Sequence, residues 1–385
     1  MKHNWIYKKL GEVGQVITGS TPTTKDERNY SSKDVCFFKP SDLSSAKLTE
    51  LTSSDFYISS YAYEHSRKLP KDSVLTTCIG IIGKVGILTA DATCNQQINA
   101  IIPNKDIIVP RFLGYSIISI KSLLSERANA PVVPLLNKSQ FSSIEIPIPS
   151  LSEQESIVAE LDGINRLIDL QEEQLREYDR LAQSLFYTTF GDPTTNPKGW
   201  EVKKIGEVAE TTSGGTPSKA HNEYYEGGSI PWLRSGEVSQ GLIYKTELFI
   251  TQAGLDNSSA KIIPVNSVAI AMYGATVGEV GIIKAPMSTN QAVCSIFPNE
   301  SVMPFYLLYF LRAMKPHYIN IAAGGAQPNI SQAIIRNTKL PLPPLALQQT
   351  FAAQIEAIEQ QKALIRRSLD DTRTLLAARM QYYFE

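Results

Sequence analysis

Trp5-Ile6-Tyr7-Lys8-Lys9-Leu10-Gly11-Glu12-Val13 returns 195 residues later as Trp200-Glu201-Val202-Lys203-Lys204-Ile205-Gly206-Glu207-Val208. Nine of the 18 positions from Trp5 and Trp200 onward are identical, ending on Gly19-Ser20-Thr21-Pro22 and Gly214-Gly215-Thr216-Pro217. The echo continues at nearly constant offset. Phe37-Phe38-Lys39-Pro40-Ser41-Asp42 answers Trp232-Leu233-Arg234-Ser235-Gly236-Glu237, and Asn95-Gln96 answers Asn290-Gln291. Asn137, Ser139 and Gln140 answer Asn329, Ser331 and Gln332. A repeat this long means two duplicated domains rather than a solenoid of short units.

Each copy has the same internal order. A globular head rich in β-branched and aromatic residues comes first, punctuated by Gly, Pro and Asn. Ser73–Thr77 and Val265–Met272 read as strands, and Pro110–Leu124 and Pro304–Lys315 as helices opened by proline. An extended Pro-containing join follows, Ile146–Pro149 or Leu340–Pro344, and then a long helix. The expected boundaries are 1–150 and 191–343 for the heads, and 151–190 and 344–385 for the helices.

Ser152-Glu153-Gln154-Glu155 has the form of a capping box opening the first helix. Gly191 and Pro193 supply its stop. A seam at alternating steps of 4 and 3 runs Ile157, Leu161, Ile164, Ile168, Gln171, Leu175, Tyr178, Ala182, Leu185, Thr189, with eight of ten apolar. The second helix keeps the register 194 residues later, from Phe351 to Tyr383, with seven of ten apolar. Such a 3.5-residue period predicts a coiled coil. A homodimer seam or a core bundle would show the same period, but shared register and duplication together favour pairing within the chain. Glu172, Glu173, Glu177 and Asp179 on one helix face Lys362, Arg366, Arg367 and Arg373 on the other as candidate orienting pairs. About 36 residues at 1.5 Å each make a rod of roughly 54 Å. The expected fold is α+β: two homologous α/β heads separated by two long helices packed as an antiparallel coiled coil, with pseudo-twofold symmetry.

The net charge of −1 hides an uneven distribution: residues 151–190 carry −6, and the rest of the chain totals +5. That permits a DNA-binding face without demanding one. No apolar run reaches membrane-spanning length, and Met1–Trp5 lacks the apolar stretch of a signal peptide, so a cytoplasmic location is expected. Cys36, Cys78, Cys94 and Cys294 fit neither a zinc site nor a disulfide framework and read as small buried hydrophobes.

No catalytic constellation emerges. Gly80–Val85 lacks the spacing of a phosphate loop and reads as a β-turn. The four histidines are scattered, and Asn196-Pro197-Lys198-Gly199 reads as a turn rather than a methyltransferase motif. Asp370-Asp371 point in different directions on a helix.

What recurs suits the binding of a polar partner. The turns carrying Thr21 and Thr216 offer amides and hydroxyls to a phosphate, or are plain turns. Lys39 with Ser41, and Arg234 with Ser235, sit at strand ends beside carboxylates, as base-edge readers would. Asn95, Gln96, Asn290 and Gln291 supply amides suited to adenine, or to a buried hydrogen-bond network. Tyr273, Thr276 and Gln327 lie on glycine-rich loops of close approach. The heads diverge where Arg67 and Lys68 in one face Asp256, Asn257 and Lys261 in the other, which suggests two different half-sequences.

These residues resemble the specificity (S) subunits of type I restriction-modification systems over essentially the full length. The resemblance rests on the paired Trp…Lys-Lys-Leu/Ile-Gly-Glu-Val openings, the Gly-x-Thr-Pro turns, Gly325–Ser331, and the Pro-rich runs 146–155 and 340–349. The second copy carries Gln348-Gln349 in place of Glu-Gln, and Ala128–Val133 stands where a Gly-Gly-Ala-Gln stretch would sit. The resemblance implies that the heads are target recognition domains, each reading half of a bipartite, asymmetric sequence in double-stranded DNA. The candidate contacts are then Thr21, Lys39, Ser41, Arg67, Lys68, Asn95 and Gln96 in the first head. In the second they are Thr216, Arg234, Ser235, Tyr273, Thr276, Asn290, Gln291 and Gln327. It implies helices that space the halves and dock two modification (M) subunits, which use S-adenosylmethionine to methylate adenine. Two restriction (R) subunits, dependent on ATP and Mg, join where the complex cleaves. The chain itself would hold no cofactor or metal and would be a non-catalytic subunit. The competing reading is a duplicated scaffold or ligand-binding protein that does not act on DNA. A fused nuclease or methyltransferase would need motifs the sequence does not carry.

Overall fold

The computed structural model describes residues 5–45, 47–128, 133–322 and 329–384. The chain divides into two compact units, one of Met1–Gln171 with Ser368–Glu385 and one of Glu172–Arg367. Each contains one head and a stretch of each long helix.

In the first unit, strand Ile6–Lys9 pairs antiparallel with Glu145–Ile148, so the repeated opening motif ties down the strand that leads into the helix. The head is built on a five-stranded sheet in the order Gly14–Thr18, Ile98–Pro103, Val74–Thr77, Val85–Leu88, Thr49–Leu51. Beside it lies a three-stranded sheet of Tyr57–Ile58, Val35–Phe38 and Thr93–Cys94. The central strand Val74–Thr77 is buried along its whole length, because both faces of the sheet are covered. Val74 joins one apolar cluster with Phe112, Leu113 and Leu161, while Leu75 joins another with Phe38, Leu88 and Ile98. The expected Pro110–Leu124 helix is interrupted: Pro110–Ser119 and Lys121–Arg127 are separate helices meeting at Ile120.

The second unit repeats this topology. Glu201–Lys204 pairs with Lys339–Leu342. The five-stranded sheet runs Thr211–Ser213, Val293–Ile296, Val268–Ala271, Val280–Ile283, Leu242–Ile243. The smaller sheet gains Ile262–Ile263, whose counterpart in the first unit is a single bridge between Leu69 and Ala92. Helix Pro304–Ala322 outruns the expected end at Lys315 and passes through Pro316. Packing outweighs the proline's missing N–H because Tyr318 beyond it is fully buried, its hydroxyl 2.9 Å from Thr338 Oγ1.

The two long helices, Leu151–Phe190 and Leu345–Phe384, have 40 residues each. The cap of the first lies two residues earlier than the sequence suggests. Ser150 N donates to Glu153 Oε2 at 3.0 Å and Glu153 N to Ser150 Oγ at 3.4 Å. Ser152 is exposed on the first turn. Gly191 takes the left-handed cap with φ 80°. All twenty seam positions are buried or half-buried. In the first unit Glu160 pairs with Arg379 at 2.7 Å, and eleven residues on Gln171 donates to Ser368 Oγ, eleven residues back, at 2.9 Å. In the second unit Lys362 pairs with Asp179 at 2.6 Å, and an equal step brings Phe190 to Phe351, ring centroids 5.1 Å apart. Equal and opposite steps mean that the helices run antiparallel in each unit. Of the orienting charges expected, Asp179 and Lys362 meet, whereas Glu173 and Glu177 hold Arg176 and Arg180 of their own helix. That preference follows from the short i,i+3 reach along one helix face.

Candidate nucleic-acid interface

In the first head the Gly19–Pro22 turn lies backbone to backbone on the Cys94–Gln97 turn. Ser20 N donates to Cys94 O at 2.9 Å. A Cβ on Gly19 would stand 2.1 Å from Asn95 O, so only glycine allows the approach. The contact brings the exposed side chains of Thr21 and Gln96 together, the hydroxyl donating to Gln96 Oε1. Tyr30 clamps the far end of the turn, its hydroxyl 2.8 Å from Pro22 O. Arg67 Nη1 donates to Thr18 O at 2.5 Å, placing its guanidinium beside the same turn.

The second head rebuilds the arrangement from its own residues. A Cβ on Gly214 would stand 2.0 Å from Thr289 O. The Thr216 hydroxyl donates to Gln291 Oε1, and the Tyr225 hydroxyl to Pro217 O. Trp232 Nε1 adds a bond to Gly215 O at 3.0 Å. A hollow of about 480 Å³ opens here, lined by Thr216, Lys219, Tyr225, Trp232, Arg234 and Gln291 among others. In the first head, Lys39 Nζ lies 3.2 Å from the Phe56 ring centroid, a cation–π contact.

Of the sequence-chosen residues, Thr21 with Gln96, and Thr216 with Arg234, Asn290 and Gln291, come together. Asn95 is buried, and its Oδ1 accepts from Gln97 N at 3.1 Å, shaping the turn that presents Gln96. Asn290 does the same for Ala292 N at 3.2 Å. Tyr273 is exposed and adjoins this turn, since Met272 N donates to Ala292 O at 2.8 Å. Thr276 Oγ1 is bonded to Tyr273 O at 3.2 Å. Lys68 pairs with Glu64 at 2.6 Å, and Ser41 is exposed. Ser235 opens a short 3-10 turn after Arg234. Gln327 lies outside the described residues. The carboxylates beside the cations are occupied by backbone: Asp42 accepts from Lys39 N at 2.6 Å, and buried Glu237 from Arg234 N at 3.1 Å and Glu247 N at 2.7 Å. Arg234 itself pairs with Glu247 at 2.5 Å.

Tyr30, Tyr225 and Lys219 are absent from the sequence candidates, and Trp232 enters there only as a position of the repeat. The two tyrosines stand 195 residues apart, so the repeat was the signal that could have found them. Cys94 and Cys294 lie on buried strands, and burial pushes both thiols up to about 12. They are inert at neutral pH. No helix among the described residues is long and apolar enough to cross a membrane.

A family model for the type I restriction modification DNA specificity domain matches the chain twice, over residues 2–178 and 197–371. The MjaIX specificity subunit of Methanocaldococcus jannaschii is 27% identical over 378 residues, covering 92% of this chain and 87% of that one. The EcoR124I/EcoR124II specificity subunit of Escherichia coli is 28% identical over 256 residues, covering 64% and 63%. The fold is similar to the crystal structure of the S subunit from M. genitalium, with a TM-score of 0.60 and 13% identity over 100% of this chain and 97% of that one. A chain solved in work on complex assembly and conformational transition of the type I R-M system gives a TM-score of 0.60 at 20% identity, covering 98% and 96%. With two matched copies that together span most of its length, the chain belongs to the type I restriction-modification DNA specificity family.

Proposed function

We propose that the chain is the DNA sequence-specificity subunit of a type I restriction-modification system and that each head reads one half of a bipartite target in double-stranded DNA. The observation that carries this reading is the doubled surface. Two heads keep one rigid turn-on-turn frame, with Thr21 on Gln96 and Thr216 on Gln291. Around that frame the exposed residues differ, as they must if two halves of an asymmetric target are to be told apart. Base discrimination is assigned to the neighbours, Lys39, Ser41, Arg67 and Lys68 in one head and Arg234, Ser235, Tyr273 and Thr276 in the other.

In this reading the chemistry belongs to partners in the cytoplasm. Two M subunits methylate adenine with S-adenosylmethionine, and two R subunits with ATP and Mg complete a cleaving complex. The paired helices dock the M subunits and set the gap between half-sequences. The deciding experiment is methylome sequencing of cells that express this chain with its M partner. A bipartite methylated motif is expected, and replacing residues 1–150 with another head should change one half of it. A complex with M that retards no DNA and leaves no methylated motif would instead favour a scaffold that does not act on DNA.

A further inference from the structure

The Thr–Gln pair is the same in both heads while its surroundings are not. Lys219 and Arg234 line the hollow beside it in the second head, where the first head's sequence has Thr24 and Lys39. A contact that survives while its neighbours change must meet something present in both halves of the target. Apart from an adenine offered for methylation, the bases of an asymmetric site differ between its halves, whereas the phosphates are the same throughout.

The hydrogen-bond inventory at the pair favours an anion. Two amides of each turn are already used: Gly19 N donates to Ile98 O and Ser20 N to Cys94 O, both at 2.9 Å. Gly214 N donates to Val293 O at 3.2 Å and Gly215 N to Thr289 O at 2.9 Å. The next amide, of Thr21 or Thr216, donates to no described residue. The Thr hydroxyl is spent on Gln Oε1, which leaves the Gln Nε2 hydrogens as the free end of that side chain. Each head therefore leaves two donors without a described partner, a backbone N–H and a side-chain NH2, on two residues joined by the Thr–Gln hydrogen bond. Arg67 in one head and Lys219 in the other add positive charge beside them.

We propose that Thr21–Gln96 and Thr216–Gln291 are sequence-blind clamps, each holding a backbone phosphate of its half-site so that neighbouring side chains meet the bases in fixed register. This rests on the DNA-binding reading above.

Gln96→Glu separates contact from fold. The carboxylate still accepts from the Thr21 hydroxyl, so the turn survives, but the donor becomes an anion facing a phosphate. The assay is fluorescence anisotropy of the complex with M on cognate and scrambled duplexes, with the methylated motif read in parallel. Gln96→Glu, and independently Gln291→Glu, should weaken binding roughly tenfold or more, by the same factor on both duplexes, with the motif unchanged. Gln96→Ala should lose less and leave the salt slope as it was, because no charge is removed. A motif that turns degenerate in one half would make these residues base readers and overturn the clamp. Unchanged affinity in the folded variants would reduce the pair to a turn brace and equally overturn it. If the wild-type complex binds no DNA at all, the DNA-binding reading itself falls.

Discussion

Replacing Gln154 by Leu should loosen the join between the first head and its long helix while sparing the second. Gln154 is fully buried on the opening turn. Its Oε1 accepts from Val109 N at 2.8 Å, and its Nε2 donates to Ile107 O at 3.0 Å and Pro149 O at 2.9 Å. One side chain thus bolts the loop before helix Pro110–Ser119 to the extended join. Leucine fills the same space but leaves one N–H and two carbonyls without partners. A buried unsatisfied group costs roughly 1–3 kcal/mol. Two of the three bonds are only partly buried, and the apolar side chain returns about 1 kcal/mol of burial, so a net loss of about 2–3 kcal/mol is expected. Gln348 occupies the same place in the second copy, with bonds of 3.0 Å from Met303 N, 3.4 Å to Ser301 O and 2.9 Å to Pro343 O. Its long bond to Ser301 predicts a smaller loss for Gln348→Leu, about 1–2 kcal/mol. Hydrogen exchange by mass spectrometry localises the effect. Gln154→Leu should speed exchange in peptides spanning 107–113 and 149–156 and leave 301–307 unchanged, and Gln348→Leu should do the reverse. Gln154→Glu adds a pH signature. Burial opposite two carbonyls raises the folded carboxyl's pKa above its unfolded value of about 4.3. That variant should therefore be least stable at neutral pH and recover as pH falls through the raised value. Protection unchanged to within about 0.5 kcal/mol in Gln154→Leu would refute the bolt, as would a larger loss in Gln348→Leu.

Three further outcomes follow from the same geometry. Lys362 is 5% exposed on the seam and is held by Asp179 at 2.6 Å and Glu359 at 2.7 Å. Lys362→Ala, which takes the nearest cation from half-buried Glu359 and leaves it Arg366 at 3.8 Å, should cost about 2–3 kcal/mol in urea melts, whereas Lys362→Met, which removes the same charge but refills the seam, should cost less. Gly19→Ala and Gly214→Ala, whose Cβ atoms would stand 2.1 and 2.0 Å from carbonyl oxygens, should each cost more than about 2 kcal/mol and disorder the turn that holds Thr21 or Thr216. With thiols pushed up to about 12, Cys94 and Cys294 carry only about one thiolate in ten thousand at pH 8. Iodoacetamide should modify half-buried Cys36 in the native protein and those two after unfolding, as read by peptide mass mapping.

The long helices were legible because their signal is periodic. A seam step of 3.5 residues fixes both partner faces without knowledge of the heads. It failed where a helix packs against a head, even while Phe186 and Phe190 also touch Phe351 of the partner helix. There Gln154, Val158, Phe186 and Phe190 are buried off the seam, because a head-facing stretch follows the 3.6 period of a globular helix instead. The capping box was misplaced for a related reason. Ser150 and Ser152 both precede an acidic residue by three positions, and the spacing rule cannot choose between them. The choice is made by Gln154, whose three bonds fix where the first turn starts. The same bonds show that the counterpart of Gln154 in the second copy is Gln348, not Gln349, which is exposed.

Site residues were harder to read because polar side chains recur for two different reasons. Duplication sorts them once burial is known. Gln154 and Gln348 are kept in both copies and are buried with every bond spent on backbone, so the fold alone accounts for their retention. Asn95 and Asn290 also recur and shape the turns beside them. Gln96 and Gln291 are kept in both copies, stand exposed, and hold one bond each, to a threonine that is itself duplicated. Nothing in the packing requires an amide there. A residue held in place twice without a packing reason points to a partner outside the chain. The partner must also be the same at both heads, which is why the phosphate backbone, rather than either half-sequence, is the fitting occupant.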